Sequence, residues 1–120
     1  MTATITTLPT PWALLEAALR GRRAVWLSYH GRRRLICPHA LGFKGGRPLL
    51  LGYQTGGETS DGALPFDPRQ RWRVFFVDEA DEVTTDMTAP WGTAANYNPT
   101  RPFPAVDEVV LAIGGLADCS

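Results

Sequence analysis

Residues 23–54 read RAVWLSYHGRRRLICPHALGFKGGRPLLLGYQ, and this stretch decides the fold. From Arg23 to Tyr29 apolar and polar side chains alternate, which is the two-residue period of a strand with two different faces. A His-Gly pair at 30–31 predicts a turn, after which the chain returns as a second strand over Arg33 to Pro38. Because Pro38 has no amide hydrogen for a ladder, it predicts the end of that strand or a position at an edge.

The sequence on both sides of this stretch predicts one helix and more strands. Thr10 can cap the helix with its hydroxyl, Pro11 suits the first helical position, and Gly21 predicts a left-handed residue at its end. Further strands are predicted at 48–54, 70–78 and 82–85, with a turn at 42–46 and a loop at 55–68. Residues 107–113 could form a strand or a short helix, and their β-branched residues favour the strand. One helix and about five short strands predict a mainly β fold with an N-terminal helix (α+β), either a small curled sheet or a partly open β-barrel.

The length of 120 residues predicts one small domain. We divide it into an N-terminal arm at 1–10, a helix-and-barrel domain at 11–85, and a C-terminal extension at 86–120 that packs on the same domain. No stretch approaches the ~18 apolar residues of a membrane-spanning helix, and the first residues lack the basic start and apolar run of a secretory signal. Two cysteines are too few for a disulfide framework, so the sequence favours the cytoplasm.

The net charge of zero hides a division of charge along the chain. Residues 1–75 contain 11 of the 12 basic residues and 4 acidic ones, a net charge of +7, whereas residues 76–120 carry −7. A neutral chain argues against a nucleic-acid partner, but here the basic part coincides with the predicted strands. The acidic run at 78–86 has two interpretations: a solvated edge that discourages aggregation, or a surface that docks on the basic part of a second copy.

Two stretches resemble the WYL domain family of bacterial regulators: LLEAALRGRRAVWLSYHGRRRLICPHALGFKGGRPLLLGYQ and RWRVFFVDEADEV, which together cover about residues 13–85. The positions that match the family's pattern are Tyr29, Arg34 (or Arg33), Pro38, Gly46, Tyr53, Arg73, Phe75, Val77 and Asp78. Two positions depart from it, because the Trp-Tyr-Leu signature reads Pro48-Leu49-Leu50 and the Arg after the Asp is Glu79. The resemblance implies an Sm-like barrel that binds a nucleic acid or a nucleotide. Since only ~10 residues precede the helix, it implies a stand-alone sensor without a fused DNA-reading module.

Arginine accounts for all but one of the basic residues, the exception being Lys44. A guanidinium grips phosphate through two parallel hydrogen bonds and stacks on bases, and tyrosine rings between the arginines add stacking worth roughly 1–3 kcal/mol per base. The candidate ligand- or nucleic-acid-binding residues are Tyr29, Arg32, Arg33, Arg34, Arg47, Tyr53, Arg71 and Arg73. The alternative is that the arginines pair with the acidic segment and reflect only a GC-rich genome.

The triplet Cys37-Pro38-His39, with His30 nearby, is the only hint of nucleophilic or metal chemistry. A thiol and an imidazole can form a catalytic couple, but no acidic residue lies between 17 and 57 to orient the ring locally. Two histidines and two cysteines do not give a recognisable zinc spacing. We therefore interpret them as a structural cysteine and a surface histidine, and predict no catalytic residue, no metal and no cofactor.

Three aromatic residues lie among the prolines of the C-terminal segment: Trp91, Tyr97 and Phe103. We interpret them as staples that hold this segment on the domain, since large aromatic side chains in a small domain usually belong to its core.

These observations predict a cytoplasmic, non-enzymatic ligand-sensing domain that acts in regulation. It would bind single-stranded nucleic acid or a nucleotide through its arginines, with Tyr29 and Tyr53 as stacking surfaces. The alternative prediction is a non-catalytic module for protein–protein interaction or self-association that serves a separate regulator. Neither prediction involves a membrane.

Overall fold

The regular elements of the protein are one helix and six strands within residues 10–59, 62–98 and 106–113, the part of the chain that the computed structural model describes. In chain order they are α1 (Pro11–Gly21), β1 (Ala24–Tyr29), β2 (Arg32–Lys44), β3 (Arg47–Gly57), β4 (Trp72–Phe76), β5 (Ala80–Asp86) and β6 (Glu108–Ala112). The predicted mainly β fold with an N-terminal helix is confirmed. No helix within these ranges is long and apolar enough to cross a membrane.

Strand β2 is the centre of one antiparallel sheet with the order β4-β3-β2-β1-β5. On one edge, its first half pairs with β1, from Tyr29↔Arg32 to Val25↔Ile36, and its second half pairs with β6. On the other edge, β2 pairs with β3 over nearly its whole length. Among the described residues the sheet is not closed on itself and ends at β4 and β5.

The N-terminal helix begins as predicted. The Thr10 hydroxyl caps it by accepting a first-turn amide at 3.1 Å. The left-handed residue at its end is Arg22 (φ 51°), not the predicted Gly21, which is the last helical residue. The amides of Arg22 and Arg23 donate to carbonyls of the last helical turn at 3.2 and 2.8 Å. These two bonds satisfy the helix end and offset the cost of a left-handed conformation in a residue with a side chain.

Of the two predictions for Pro38, the end of a strand is wrong, because β2 continues through it to Lys44. The edge position agrees with the pairing, since β1 pairs with β2 up to Ile36 and β6 pairs from Ala40 onwards. A register shift against β3 lies between Pro38 and Ala40, so the residue that cannot donate a hydrogen bond lies at a bulge. Gly42, which was predicted within a turn, is also a strand residue. The turn itself is Gly45-Gly46, and both of its residues have positive φ (57° and 77°).

The other strand boundaries differ from the predicted ones by a few residues. Strand β3 extends to Gly57 and so includes the first residues of the predicted 55–68 loop. Strand β4 is shorter than the predicted 70–78, because the chain turns through a 3₁₀ segment at Val77–Glu79. Strand β5 is longer than 82–85, and β6 confirms a strand within 107–113.

Each face of the sheet is covered by one segment of the chain, and we call the two faces the inner face and the outer face. The inner face is covered by α1 and carries the main core, which includes Leu15, Leu19, Leu27, Ile36, Leu50 and Phe75, each at most 3% exposed. The outer face is covered by residues 86–98, whose Trp91 packs on Cys37 and Tyr53. Together with the contacts of Tyr97 on the same face, this confirms two of the three aromatic staples. Phe103 lies outside the described residues.

Gly42→Ala is expected to lower the free energy of unfolding by about 1–3 kcal/mol. A Cβ at Gly42 would collide with the Glu108 carbonyl oxygen, so β6 would have to move away from β2. Gly21→Ala is the matched control, because its Cβ would meet only the Arg23 side chain, at an ordinary 3.5 Å, and alanine favours the helix. Urea unfolding measures both variants against the wild type. Equal midpoints for the two variants would contradict the expectation.

Candidate anion-binding site

The structure separates arginines that the sequence places side by side. Successive side chains of β2 point to opposite faces of the sheet. Arg34 contacts inner-face rings, whereas the guanidinium carbon of Arg33 lies 5.8 Å from the ring centroid of Trp26 on the other side. The positive charges of Arg73 and Arg32 both act on Arg34, and we call these three residues the arginine cluster.

Arg34 is a buried arginine, only 3% exposed. Its guanidinium carbon lies 5.5 Å from the ring centroid of Phe75 and 5.7 Å from that of Tyr29. Its Nη2 donates to the Tyr29 carbonyl at a long 3.4 Å, and its Nε has no hydrogen-bond partner among the described residues. The ion pairs of the described residues do not include Arg34. A buried charge without a counter-charge is costly, so an anion at this position would stabilise the folded chain.

The other two members of the cluster increase the positive potential at Arg34. Burial lowers the pKa of Arg34 most, and the charges of Arg73 and Arg32 lower it further, whereas Glu58 acts weakly in the opposite direction. The side chain of Arg32 is 41% exposed and approaches Glu58 only at 4.0 Å. Nη1 of Arg73 donates to the carbonyls of Gln70 and Trp72, both at 3.0 Å. Three positive charges therefore face one carboxylate.

Gln54 is a second buried polar side chain on the inner face, and the sequence reasoning missed it. Gln54 lies on β3, and its register partner on β2 is Ile36, an inner-face core residue. Arg34 lies two residues before Ile36 on β2. Nε2 of Gln54 donates to the carbonyls of Gly56 and Glu58 at 3.0 and 2.9 Å, but its Oε1 has no partner among the described residues. The signal in the sequence was a lone amide at the end of the apolar run LLLGY.

The two tyrosines predicted as stacking surfaces are packed against the protein itself. Tyr29 is 8% exposed, with the His30 ring stacked at 4.1 Å and the Phe75 ring edge-on at 4.6 Å. Tyr53 is 4% exposed and lies on the outer face, where it contacts the Trp72 ring at 4.9 Å. The structure thus brings Tyr29 to the arginine cluster and places Tyr53 on the opposite side of the sheet.

Arg47 is held by the acidic run. Its guanidinium donates to Asp78 at 2.8 and 3.1 Å and to Glu79 at 2.6 Å, and it lies 3.7 Å from the centroid of the Phe76 ring. These hydrogen bonds raise the pKa of Arg47 and contribute to the lowered pKa of both carboxyls. Glu79 also bonds to His30 at 2.6 Å. The carboxylates of the acidic segment therefore pair with Arg47, and none of the described ion pairs of this segment involves Arg34.

The remaining predicted residues, Arg33 and Arg71, bind backbone. Arg33 donates to the Glu82 carbonyl at 2.9 Å, which ties β2 to β5 across β1. Arg71 donates to the carbonyls of Pro65 and Phe66 at 2.8 and 3.4 Å and so fixes the preceding loop. These contacts are structural, and neither residue joins the arginine cluster.

The prediction of a surface histidine at position 39 is wrong, because His39 is 1% exposed. Its Nδ1 lies 2.7 Å from the Cys37 carbonyl, which can only accept, so Nδ1 carries the proton. Its Nε2 then accepts from the Thr93 hydroxyl at 2.9 Å, and the Trp91 ring stacks on the imidazole at 4.8 Å. Burial lowers the pKa of His39 to about 4. The covering segment comes from more than fifty residues away in the chain, and local sequence does not reveal it.

Cys37 is buried, as expected for a structural cysteine. Its sulfur accepts the Gly92 amide at 3.3 Å, and burial raises the pKa of the thiol. The imidazole of His39 bonds to the backbone of Cys37 and not to its thiol. Within the described ranges, no group of three or more His, Cys, Asp or Glu side chains could hold a metal ion.

Comparisons with models of protein families, with curated proteins and with solved structures find no match for this chain. The sheet carries a buried arginine whose Nε has no partner among the described residues, two arginines whose charges act on it, and a buried amide whose oxygen has no partner among those residues. All of these are strand residues of one small sheet. Chemically, this arrangement can bind an anion.

Proposed function

We propose that the chain is a non-enzymatic ligand-binding domain that acts in regulation and whose ligand carries phosphate, either single-stranded nucleic acid or a nucleotide. The observation that carries the proposal is Arg34, a buried arginine that has no carboxylate partner among the described residues. A guanidinium in a partly dry environment forms short, charge-assisted hydrogen bonds with phosphate oxygens. Arg32 and Arg73 add positive charge on the same ligand.

The resemblance to the WYL domain family supports this proposal. Four of the positions that match the family's pattern are close to one another. Arg34 is in contact with the rings of Tyr29 and Phe75, and the charge of Arg73 acts on it. We therefore propose that the sheet is an Sm-like barrel of the WYL type. In this proposal Tyr29 supports the guanidinium and does not stack on a base.

Binding of a fluorescently labelled single strand to the full chain tests the proposal. If three arginines each neutralise one phosphate, the affinity should fall roughly 20-fold between 50 and 200 mM salt. Fluorescence anisotropy at the two salt concentrations measures this, with an unlabelled nucleotide as competitor. If neither strand nor nucleotide bound at 50 mM salt, the proposal would be wrong, and a salt-sensitive oligomer in sedimentation would then favour the self-association module.

A further inference from the structure

The arginine cluster has a buried end and an exposed end. Arg34 is 3% exposed, whereas the side chain of Arg32, two residues earlier on the same face, is 41% exposed. Arg34 is also enclosed by the rings of Tyr29 and Phe75. A ligand group that reaches Arg34 must therefore project from the rest of the ligand. A phosphate inside a strand has a sugar on each side and cannot project in this way.

The unpartnered atoms at this position are one donor and one acceptor. Arg34 Nε can only donate, and Gln54 Oε1 can only accept. The two side chains belong to adjacent strands: Gln54 pairs with Ile36, two residues from Arg34, and a register shift lies between these positions. An internal phosphodiester offers acceptors alone. A terminal phosphate has a second pKa near 6, so it offers acceptor oxygens and, in its monoanionic form, a hydroxyl donor as well.

We infer that the group bound at Arg34 and Gln54 is a terminal phosphate, at the end of a nucleic-acid strand or on a mononucleotide, and not an internal phosphodiester. This inference rests on the proposed function. It narrows the proposed ligand from any single-stranded nucleic acid or nucleotide to one that carries a phosphomonoester. Arg32 and Arg73 then add positive charge on the exposed side, where the rest of the ligand lies.

The test compares matched ligands on the full chain. One labelled strand is prepared with a 5′-phosphate, with a 3′-phosphate and with hydroxyls at both ends, and a nucleoside 5′-monophosphate is compared with its 3′,5′-cyclic diester. We expect at least one end-phosphorylated strand, or the monophosphate, to bind tenfold or more tightly than its unphosphorylated or cyclic counterpart. Arg34→Lys, which keeps the charge but loses the guanidinium fork, should reduce that preference to less than threefold.

The outcomes separate the inference from the proposed function. Preference for a phosphorylated strand would support it with a strand end as the ligand, and preference for the monophosphate alone would support it with a free nucleotide. Equal binding of phosphorylated and hydroxyl-ended strands would overturn the inference and leave the proposed function in place. Absence of binding by every ligand would overturn both. Circular dichroism of Arg34→Lys confirms that the variant is folded before its preference is compared.

Discussion

Arg34→Met is expected to unfold at a higher urea concentration than the wild type and to lose ligand binding. Arg34 is 3% exposed and has no ion-pair partner among the described residues, and its guanidinium carbon lies against the rings of Tyr29 and Phe75. Methionine keeps most of that packing and removes the buried charge. Replacing buried charges by apolar residues of similar size is often stabilising by about 1–4 kcal/mol, and we expect a gain in this range.

The same substitution removes the group to which we assign the binding of the proposed ligand. Truncating one partner of a buried, hydrogen-bonded charge pair costs about 2–5 kcal/mol, so affinity should fall at least roughly 30-fold. Arg20→Met is the matched control, because Arg20 lies on α1, its side chain is 61% exposed, and within the described ranges its ion pair is with Glu16 alone. It removes the same charge and should change neither stability by more than about 0.5 kcal/mol nor affinity by more than about twofold.

Urea unfolding and anisotropy titrations measure both properties for the two variants. Stability and binding should change in opposite directions in Arg34→Met. A variant that unfolds more readily than the wild type would mean that the guanidinium is satisfied in the free protein. A stable variant that still binds the ligand would remove Arg34 from the site.

The second large effect is an acid-dependent loss of stability that originates at His39. Its pKa is lowered from 6.5 to about 4, mainly by burial and further by the charge of Arg22, although the hydrogen bond to the Cys37 carbonyl acts in the opposite direction. Above pH 6.5 the imidazole is neutral in both states and contributes no pH dependence. Between pH 6.5 and 4 the unfolded chain binds a proton that the folded chain excludes, so the free energy of unfolding falls as the pH falls. Below pH 4 the loss is complete, at about 3 kcal/mol.

Between pH 7 and pH 5 the loss of stability expected from His39 is about 2 kcal/mol. The carboxyls of Asp78, Glu79 and Asp86 have lowered pKa values, so their contribution is lost only at more acidic pH. Urea unfolding at a series of pH values measures the slope for the wild type and for His39→Gln. Glutamine can donate and accept a hydrogen bond but does not titrate, so the variant should lose about 2 kcal/mol less stability than the wild type over this interval. Equal slopes for the two proteins would contradict the assignment.

The parts of the fold that follow from local chemistry were predictable from the sequence. Thr10 and Pro11 located the helix start, and the alternation up to Tyr29 located β1, because capping and the two-residue period depend on adjacent residues alone. The length of β2 was not predictable in the same way. Whether Pro38 ends a strand or lies at a bulge depends on β3, which must shift its register to accept it.

The sequence predicts some of the residues of the candidate site but not how they are arranged in space. The sequence identified Arg34 and Arg73, but alternation alone does not say which of two adjacent arginines faces the core, because that depends on where α1 packs. Arg47 joined the predicted set although Asp78, thirty-one residues away, neutralises it. Gln54 was missed because an amide has no signature until its partners are known.

The backbone from Arg34 to His39 connects the arginine cluster with the buried imidazole. The arginine cluster lies on one face and the imidazole is covered on the other, and register shifts against β3 occur after Leu35 and again after Pro38. A bulge interrupts the hydrogen-bond ladder and increases the local twist of a strand. Strand β2 therefore has two positions of increased twist within a few residues of Arg34 and His39. The curvature of this short segment therefore affects both faces, because it sets the position of the Arg34 guanidinium on one side and of the His39 imidazole on the other.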